Sequence, residues 1–173
     1  MAAALTLIST SADATMRIGH ALSHILRPGD ILTLDGDMGA GKTALTRGIA
    51  SGLGYEDAVA SPTFTVVMEH PPRNPGDVAL FHFDVYRLRD GDDFLDAGLD
   101  EYFSRHGVCV IEWGDMVDEV LPPNRFRIIL QGVGDERRME IFFPEDRGRD
   151  LLILTDALRE DPDVRIPEGG LSC

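Results

Sequence analysis

The stretch GDMGAGKT, residues 36–43, decides how the fold of this chain is interpreted. It matches the phosphate-loop (P-loop) pattern G-x-x-x-x-G-K-[ST] at every required position. The apolar run ILTLD, residues 31–35, comes directly before it, and a helical apolar pattern with Leu45 and Ile49 follows it. A strand, a glycine-rich loop and a helix in this order predict a loop whose backbone N–H groups surround a phosphate. The simpler alternative is a glycine-rich turn that only caps a helix.

The residues of this loop have separate chemical tasks. Gly36, Gly39 and Gly41 allow backbone angles that other residues resist, so the N–H groups can turn inward around an anion. Lys42 can reach the β- and γ-phosphates of a bound nucleotide, and Thr43 can place its hydroxyl on Mg²⁺. The pattern therefore predicts binding of a nucleoside triphosphate together with a metal ion.

Apolar periodicity divides the rest of the chain into alternating strands and helices. Strands are predicted at residues 5–9, 31–35, 63–69, 78–84, 108–113, 125–131 and 137–143. Helices are predicted at residues 11–27, directly after the P-loop, and at 92–103 with a break near Gly98. This order predicts a three-layer α/β P-loop fold with a mainly parallel sheet, and the last two strands add an antiparallel hairpin at an edge.

The composition changes after Pro144. We therefore assign residues 1–147 to the P-loop domain and residues 148–173 to a C-terminal extension. Within that extension an amphipathic helix is expected at residues 151–159. The remaining residues carry proline and glycine punctuation and are expected to form a loose tail.

Two of the predicted strands end in acidic residues. Asp84 ends VALFHFD, residues 78–84, and Glu112 ends VCVIE, residues 108–112. P-loop proteins need a carboxylate near the metal ion, usually at the C-terminal end of a neighbouring strand. One of these two carboxylates can therefore hold Mg²⁺ while the other orients the attacking water. The alternative for either residue is that it caps a helix or pairs with Arg87.

Three other features lie near these strand ends in the sequence. The segment SPTFT, residues 61–65, offers Thr63 or Thr65 as a sensor of the γ-phosphate, and a plain turn is an equally good interpretation. Trp113 directly follows the second acidic strand end, where core packing and a role in the site are both reasonable. His82 is interpreted as a core or rim histidine.

Composition limits the classes of function. The chain has 173 residues, of which 43% are hydrophobic, and a formal net charge of −14. Because affinity for nucleic-acid phosphates comes mainly from Lys and Arg, direct binding to nucleic acid is not expected. No apolar run approaches the length of a membrane span, and residues 1–10 lack the basic region and cleavage pattern of a signal peptide. Two cysteines outside any disulfide pattern fit the cytoplasm.

The motifs in combination carry a specific resemblance. GDMGAGKT, SPTFT, HFDVYRL at residues 82–88 and IEW at residues 111–113, followed by a later arginine, resemble the TsaE family, also called YjeE. The resemblance covers about residues 5–143. It implies a bacterial P-loop ATPase needed for threonylcarbamoyladenosine modification of the adenosine that follows the anticodon in ANN-decoding tRNAs.

The resemblance also implies which residues form the site. It places the phosphates of ATP in the loop and the adenine near the start of the first helix. The implied nucleotide contacts are Ser11, Ala12, Thr15, Asp37, Met38, Gly39, Ala40, Gly41, Lys42, Thr43 and Arg137. Thr43 and Glu112 would hold Mg²⁺. The implied catalytic residues are Lys42, Asp84, Glu112 and Trp113, and Arg138 is the alternative to Arg137.

The partners implied by the resemblance are the TsaB and TsaD proteins, which would hold the tRNA. Two other classes share the loop and the fold. A small-molecule kinase would need an acceptor pocket and usually an arginine-rich lid, but the predicted helix at residues 92–103 is acidic. A GTPase would need an N-K-x-D type guanine reader and a D-x-x-G switch after the first acidic strand, and the sequence contains neither.

Overall fold

A computed structural model describes residues 2–56 and 65–173 of the chain. Within these residues, one sheet contains nine strands: Ala4–Ser9 (β1), Ile31–Asp35 (β2), Val67–His70 (β3), Ala79–Asp84 (β4), Gly107–Glu112 (β5), Phe126–Val133 (β6), Glu136–Phe142 (β7), Val164–Arg165 (β8) and Leu171–Ser172 (β9). The strand order is β3-β4-β5-β2-β6-β7-β1-β8, and β9 also pairs with β1.

The four central strands of this sheet, β4, β5, β2 and β6, run parallel to one another. Antiparallel pairings flank them: β3 pairs with β4 on one side, and on the other β7 pairs with β6 and β1 pairs with β7. The predicted α/β fold class with its parallel sheet is therefore confirmed. The predicted hairpin is present as β6 and β7, although β1 and then β8 lie beyond it.

The described part of the chain forms four α-helices: Ala12–Ser23 (α1), Lys42–Gly52 (α2), Gly91–Asp96 (α3) and Gly148–Leu158 (α4). Ser11 caps α1, because its Oγ accepts a hydrogen bond from the N–H of Ala14 at 3.0 Å. The helix ends at Ser23, four residues before the predicted end, and turns lead from there to Pro28. The predicted break at Gly98 separates α3 from a short 3₁₀ helix, Leu99–Ser104.

Two hydrophobic cores lie on opposite faces of the sheet. Successive residues of β5 enter different cores: Val108 and Val110 pack with α1, α2 and α4, whereas Cys109 and Ile111 pack with α3 and its neighbours. This division follows from the two-residue alternation of side chains along a strand. Both faces of the central strands are covered, which produces the predicted three layers.

Glycines bring α1 against α2 and thereby place the start of α1 beside the P-loop helix. A Cβ on Gly48 would lie 1.9 Å from the carbonyl oxygen of Met16, and a Cβ on Gly19 would lie 2.3 Å from that of Leu45. Only a residue without a side chain allows the two backbones to approach this closely. The contact fixes the position of α1 relative to the loop.

The expectation of a loose C-terminal tail is wrong. The helix predicted there is present as α4, and Leu151, Leu154 and Leu158 pack in the same core as α1. Beyond it, β8 and β9 both pair with β1. Strands of two residues are too short for periodicity to reveal, and they form because the edge of β1 offers unpaired backbone groups.

Candidate nucleotide-binding site

A cleft of about 350 Å³ opens at the C-terminal ends of the central strands. The sheet register places Glu112 between Leu34, which lies just before the P-loop, and Asp84. The two acidic strand ends and the loop therefore meet at one edge of the sheet, as expected for parallel strands. The cleft is lined by Met38, Gly39, Gly41, Lys42, Thr43, Ala44, Asp84, Tyr86, Glu112 and Trp113.

The loop backbone requires its glycines. Gly36, Gly39 and Gly41 have φ angles of 149°, 80° and 108°, in a region that favours glycine. At Gly36 space is also limiting, because a Cβ there would lie 2.3 Å from the carbonyl oxygen of Leu130. The helix α2 begins directly after Gly41, so its first N–H groups open towards the loop. This arrangement fits an anion at the start of α2.

Lys42 lies inside the cleft and is bound by the loop itself. Its Nζ donates hydrogen bonds to the carbonyl oxygens of Gly36 and Asp37, the latter at 2.8 Å, and lies 3.9 Å from the ring centroid of Trp113. Burial lowers the pKa of Lys42, although the nearby carboxylate of Glu112 acts in the opposite direction. The Lys42 ammonium therefore lies at the phosphate loop, where carbonyl groups of the loop hold it. A bound phosphate would compete with these carbonyl groups for the ammonium.

Thr43 and Glu112 fit the ligand set that Mg²⁺ prefers. Thr43 Oγ1 donates to Glu112 Oε1 at 3.3 Å, and Glu112 is only 3% exposed. Mg²⁺ usually takes one or two protein oxygens and completes its shell with waters and substrate phosphates. Among residues 2–56 and 65–173 there is no cluster of three or more histidine, cysteine, aspartate or glutamate residues that could hold a metal ion.

His82 contacts the buried Glu112 carboxylate, a role that the sequence did not reveal. His82 Nε2 lies 2.6 Å from Glu112 Oε2, and the histidine is fully buried. Its Nδ1 is buried without a hydrogen-bond partner. The interpretation as a core histidine is correct for its burial but missed this contact. The parallel register of β4 and β5, which no local pattern discloses, brings the two side chains together.

Asp84 lies at the open side of the cleft. Its Oδ1 accepts a hydrogen bond from the backbone N–H of Tyr86 at 3.1 Å. Among the described contacts no ion pair joins it to Arg87. The ring of Tyr86 packs against that of Trp113, with centroids 4.8 Å apart, and Tyr86 is half-exposed. Tyr86 is thus a further residue of the site that sequence reasoning missed, although it belongs to the HFDVYRL motif.

Trp113 has the only positive φ of a non-glycine residue in the described part of the chain, at 65°. A left-handed backbone is costly for such a residue and persists only where the surroundings hold it. The strand before the P-loop does so: Trp113 N–H donates to the carbonyl of Leu34 at 2.9 Å, and Asp115 N–H donates to Asp35 Oδ1 at 2.8 Å. These bonds attach the Trp113 turn directly to the strand that carries the P-loop.

Asp35, which accepts the hydrogen bond from Asp115, has a carboxyl group with an unusually high pKa. Burial raises the pKa of its carboxyl group to about 6, against the effect of the hydrogen bond from the Asp115 backbone. The nearby carboxylate of Asp115 adds to the increase. The protonation state of Asp35 therefore changes close to neutral pH, at the junction between the P-loop strand and the Trp113 turn.

The segments expected on the adenine side lie next to the loop. An atom at the Cβ position of Gly41 would contact Thr15 Cγ2 at 3.7 Å and Arg137 Cγ at 3.8 Å. Thr15 is buried, and its hydroxyl lies 2.7 Å from that of Ser9, whereas Ser11 and Ala12 are exposed at the start of α1.

Of the two candidate arginines, Arg137 lies beside the loop and Arg138 pairs with Glu140 at 3.6 Å. Arg137 approaches the loop through its Cγ, while its guanidinium donates to the carbonyl oxygens of Gly134 and Glu136 at 3.0 and 2.9 Å. For the proposed γ-phosphate sensor, Thr65 is exposed and Thr63 lies outside the described residues.

Taken together, the sheet order, the glycine loop before α2 and the acidic ends of β4 and β5 define a P-loop protein. The sequence profile of a family described as "Threonylcarbamoyl adenosine biosynthesis protein TsaE" matches residues 9–140. The chain belongs to the TsaE family.

Individual relatives support this assignment. The TsaE protein of Bacillus subtilis is 43% identical over 147 residues, which cover 85% of this chain and 89% of that protein. The TsaE protein of Treponema pallidum is 40% identical over 131 residues, covering 76% and 94%. Both are named as tRNA threonylcarbamoyladenosine biosynthesis proteins. The crystal structure of Bacillus subtilis YdiB superposes with a TM-score of 0.72 at 35% identity, covering 93% of this chain and 98% of that one.

In residues 2–56 and 65–173, no helix has both the length and the apolar character needed to cross a membrane.

Proposed function

We propose that the protein is a Mg²⁺-dependent ATPase that serves the threonylcarbamoyladenosine modification of tRNA. The observation that carries the proposal is the meeting of Lys42, Thr43 and Glu112 in one cleft, with Asp84 on its open side. Each of these side chains has a position that suits phosphoryl transfer to water, in which catalysis consists mainly of positioning and of stabilising charge.

In the proposed reaction, the loop N–H groups and the start of α2 bind the β- and γ-phosphates. Lys42 leaves the carbonyl groups of the loop and compensates negative charge on the transferring phosphate. Thr43 and Glu112 would hold Mg²⁺, which would supply neutralisation of the phosphate charge. Asp84, next to Glu112 in the register, orients the attacking water.

The aromatic wall of the cleft contributes to the same site. Trp113 and Tyr86 pack against each other beside Lys42, so they limit access of bulk water to the loop. When a phosphate attracts Lys42, the cation–π contact with Trp113 is lost. Trp113 therefore responds to the nucleotide state of the loop.

The partners proposed for this activity are the TsaB and TsaD proteins, in the cytoplasm. A net charge of −14 repels the tRNA backbone over most of the surface, within a Debye length of about 8 Å at physiological salt. The family function nevertheless concerns tRNA. We therefore propose that TsaB and TsaD hold the tRNA and that this protein uses ATP to reset them.

The test measures phosphate release from ATP and from GTP, with and without Mg²⁺ and with and without TsaB and TsaD. We expect slow, Mg²⁺-dependent hydrolysis of ATP that accelerates with the partners. Lys42→Ala is expected to lower turnover by on the order of a hundredfold or more without unfolding the protein. A preference for GTP, a requirement for a phosphate acceptor, or tight tRNA binding by the isolated chain without any response to the partners would contradict the proposal.

A further inference from the structure

The C-terminal segment, residues 159–173, lies beyond the part of the chain that matches the family profile. It nevertheless contacts both elements that flank the P-loop on its proposed adenine side. One set of contacts reaches the start of α1, and a second set reaches the turn of the β6–β7 hairpin. No residue named in either set is among those that line the catalytic cleft.

The first set consists of ion pairs and a backbone hydrogen bond. Arg17 of α1 donates to both carboxylate oxygens of Asp161, at 2.7 and 3.1 Å, and to Asp163 at 3.0 Å. The backbone N–H of Thr10 donates to the carbonyl of Asp163 at 3.0 Å. The segment therefore holds the turn that precedes α1 as well as the first turns of the helix itself.

The second set runs through β8. Ile8 and Ser9 of β1 pair with Arg165 and Val164. The guanidinium of Arg165 forms two hydrogen bonds with the carboxylate of Glu136, at 2.9 and 3.1 Å. Two parallel hydrogen bonds between a guanidinium and a carboxylate fix the orientation of the two groups relative to each other. Glu136 directly precedes Arg137, so this contact restrains the strand end that carries the arginine of the site.

Both restrained elements converge on the P-loop. Thr15, on the first helical turns held through Arg17, and Arg137, held through Glu136, both lie at van der Waals distance from the Cβ position of Gly41, at 3.7 and 3.8 Å. Among the described contacts, neither set includes one to Lys42, Asp84 or Glu112. A restraint on Thr15 and Arg137 should therefore change the affinity for the nucleotide and leave the reaction at its terminal phosphate unchanged.

We propose that residues 161–165 are a positioning element that sets nucleotide affinity, by holding the start of α1 and Arg137 against the P-loop before the nucleotide binds. The physical basis is preorganisation: groups that are already ordered in the free protein do not have to be ordered at the expense of binding energy. The inference rests on the proposed function, because it assumes that a nucleotide occupies the loop with its base and ribose on the α1 side.

The first experiment uses the full chain with the double substitution Asp161→Asn and Asp163→Asn. Binding of ADP and of inorganic tripolyphosphate is measured by calorimetry, and KM and kcat are measured for ATP. We expect the Kd for ADP and the KM for ATP to rise roughly three- to tenfold, with kcat within about twofold. Tripolyphosphate lacks the base and ribose, so its affinity is expected to stay unchanged.

The matched control is Asp156→Asn with Glu160→Gln, which changes the net charge equally at the exposed end of α4. Neither of these residues pairs with α1 or with the hairpin among the described contacts. The control is expected to bind ADP like the unaltered protein. A similar loss of affinity in the control would show an effect of net charge and would overturn the proposal.

A second pair of variants keeps the test decisive if the double substitution prevents folding, which a thermal melt detects. Arg165→Glu places a negative charge opposite Glu136 and is expected to weaken ADP binding about twofold. Adding Glu136→Arg restores an ion pair of reversed polarity and is expected to restore the affinity. Failure of the reversed pair to restore it would contradict a positioning role.

Two further outcomes separate this inference from the proposed function. If the unaltered protein binds neither ADP nor tripolyphosphate, the proposed function fails and the positioning role fails with it. If the unaltered protein binds both and the folded variants bind ADP equally well, only the positioning role is overturned. Equal losses for ADP and tripolyphosphate would indicate a general structural effect and would also overturn it.

Discussion

His82 lies against the proposed metal ligand Glu112 and supports its orientation. Removing the imidazole should show how much this contact contributes to the free energy of unfolding. The substitution His82→Leu deletes the imidazole that lies 2.6 Å from Glu112 Oε2. Both side chains are buried, at 0% and 3% exposure. Removing one partner of a buried hydrogen bond typically costs about 1–3 kcal/mol, because the remaining polar atom is left without a partner.

We expect a loss near the upper limit, about 3 kcal/mol, because Glu112 is buried, although Thr43 still donates to its other oxygen. For a chain of this size, this loss corresponds to a decrease in Tm of roughly 6–12 °C. His82→Gln places an amide donor near the position of Nε2 and should lose only about 1 kcal/mol. Urea denaturation of the three proteins measures these differences directly.

His70 provides the control within the same sheet. It is also buried, lies on the neighbouring strand β3, and has an unpartnered Nε2, but no carboxylate pairs with it among the described contacts. His70→Leu should therefore change stability by much less than His82→Leu. Mg²⁺ titration of the ATPase should also require more metal in His82→Leu, and part of this change should be reversed in His82→Gln. Equal denaturation midpoints for the two leucine variants would refute the assigned contact.

Three other expectations follow from the site. Glu112→Gln should weaken the Mg²⁺ dependence of ATP hydrolysis more than Asp84→Asn does, and the reverse order in a Mg²⁺ titration would exchange their roles. Asp35 has a folded pKa of about 6, above its unfolded value of about 3.9, so its ionisation removes stability as pH rises from about 4 through 6. Asp35→Asn should consequently increase the free energy of unfolding, relative to the unaltered protein, by about 1 kcal/mol more at pH 7.5 than at pH 4.5 after screening, as urea denaturation at both pH values would show; an equal change at both would argue against this. Lys42 is the only lysine of the chain and lines the cleft, so bound ATP should slow its modification by an amine-acetylating reagent, as peptide mass analysis would show. Modification that ATP does not slow would place the nucleotide elsewhere.

The local features of the sequence were sufficient to predict the loop and the fold class. The pattern GDMGAGKT specifies a loop because its glycines and its lysine act within eight consecutive residues. The acidic ends of β4 and β5 were also predictable, since apolar runs mark the strands and the carboxyl ends of parallel strands share one edge of the sheet. The assignment of Asp84 and Glu112 to one cleft thus followed from sequence alone.

Tertiary structure alone decided the contacts that depend on register and on pairing across long separations. Whether His82 meets Glu112 depends on how β4 aligns with β5, and a shift of one residue would turn it to the other face. The C-terminal strands β8 and β9 are visible only through their pairing with β1, more than 150 residues earlier. Local periodicity contains no information about such partners, because the backbone groups that they satisfy belong to a distant part of the chain.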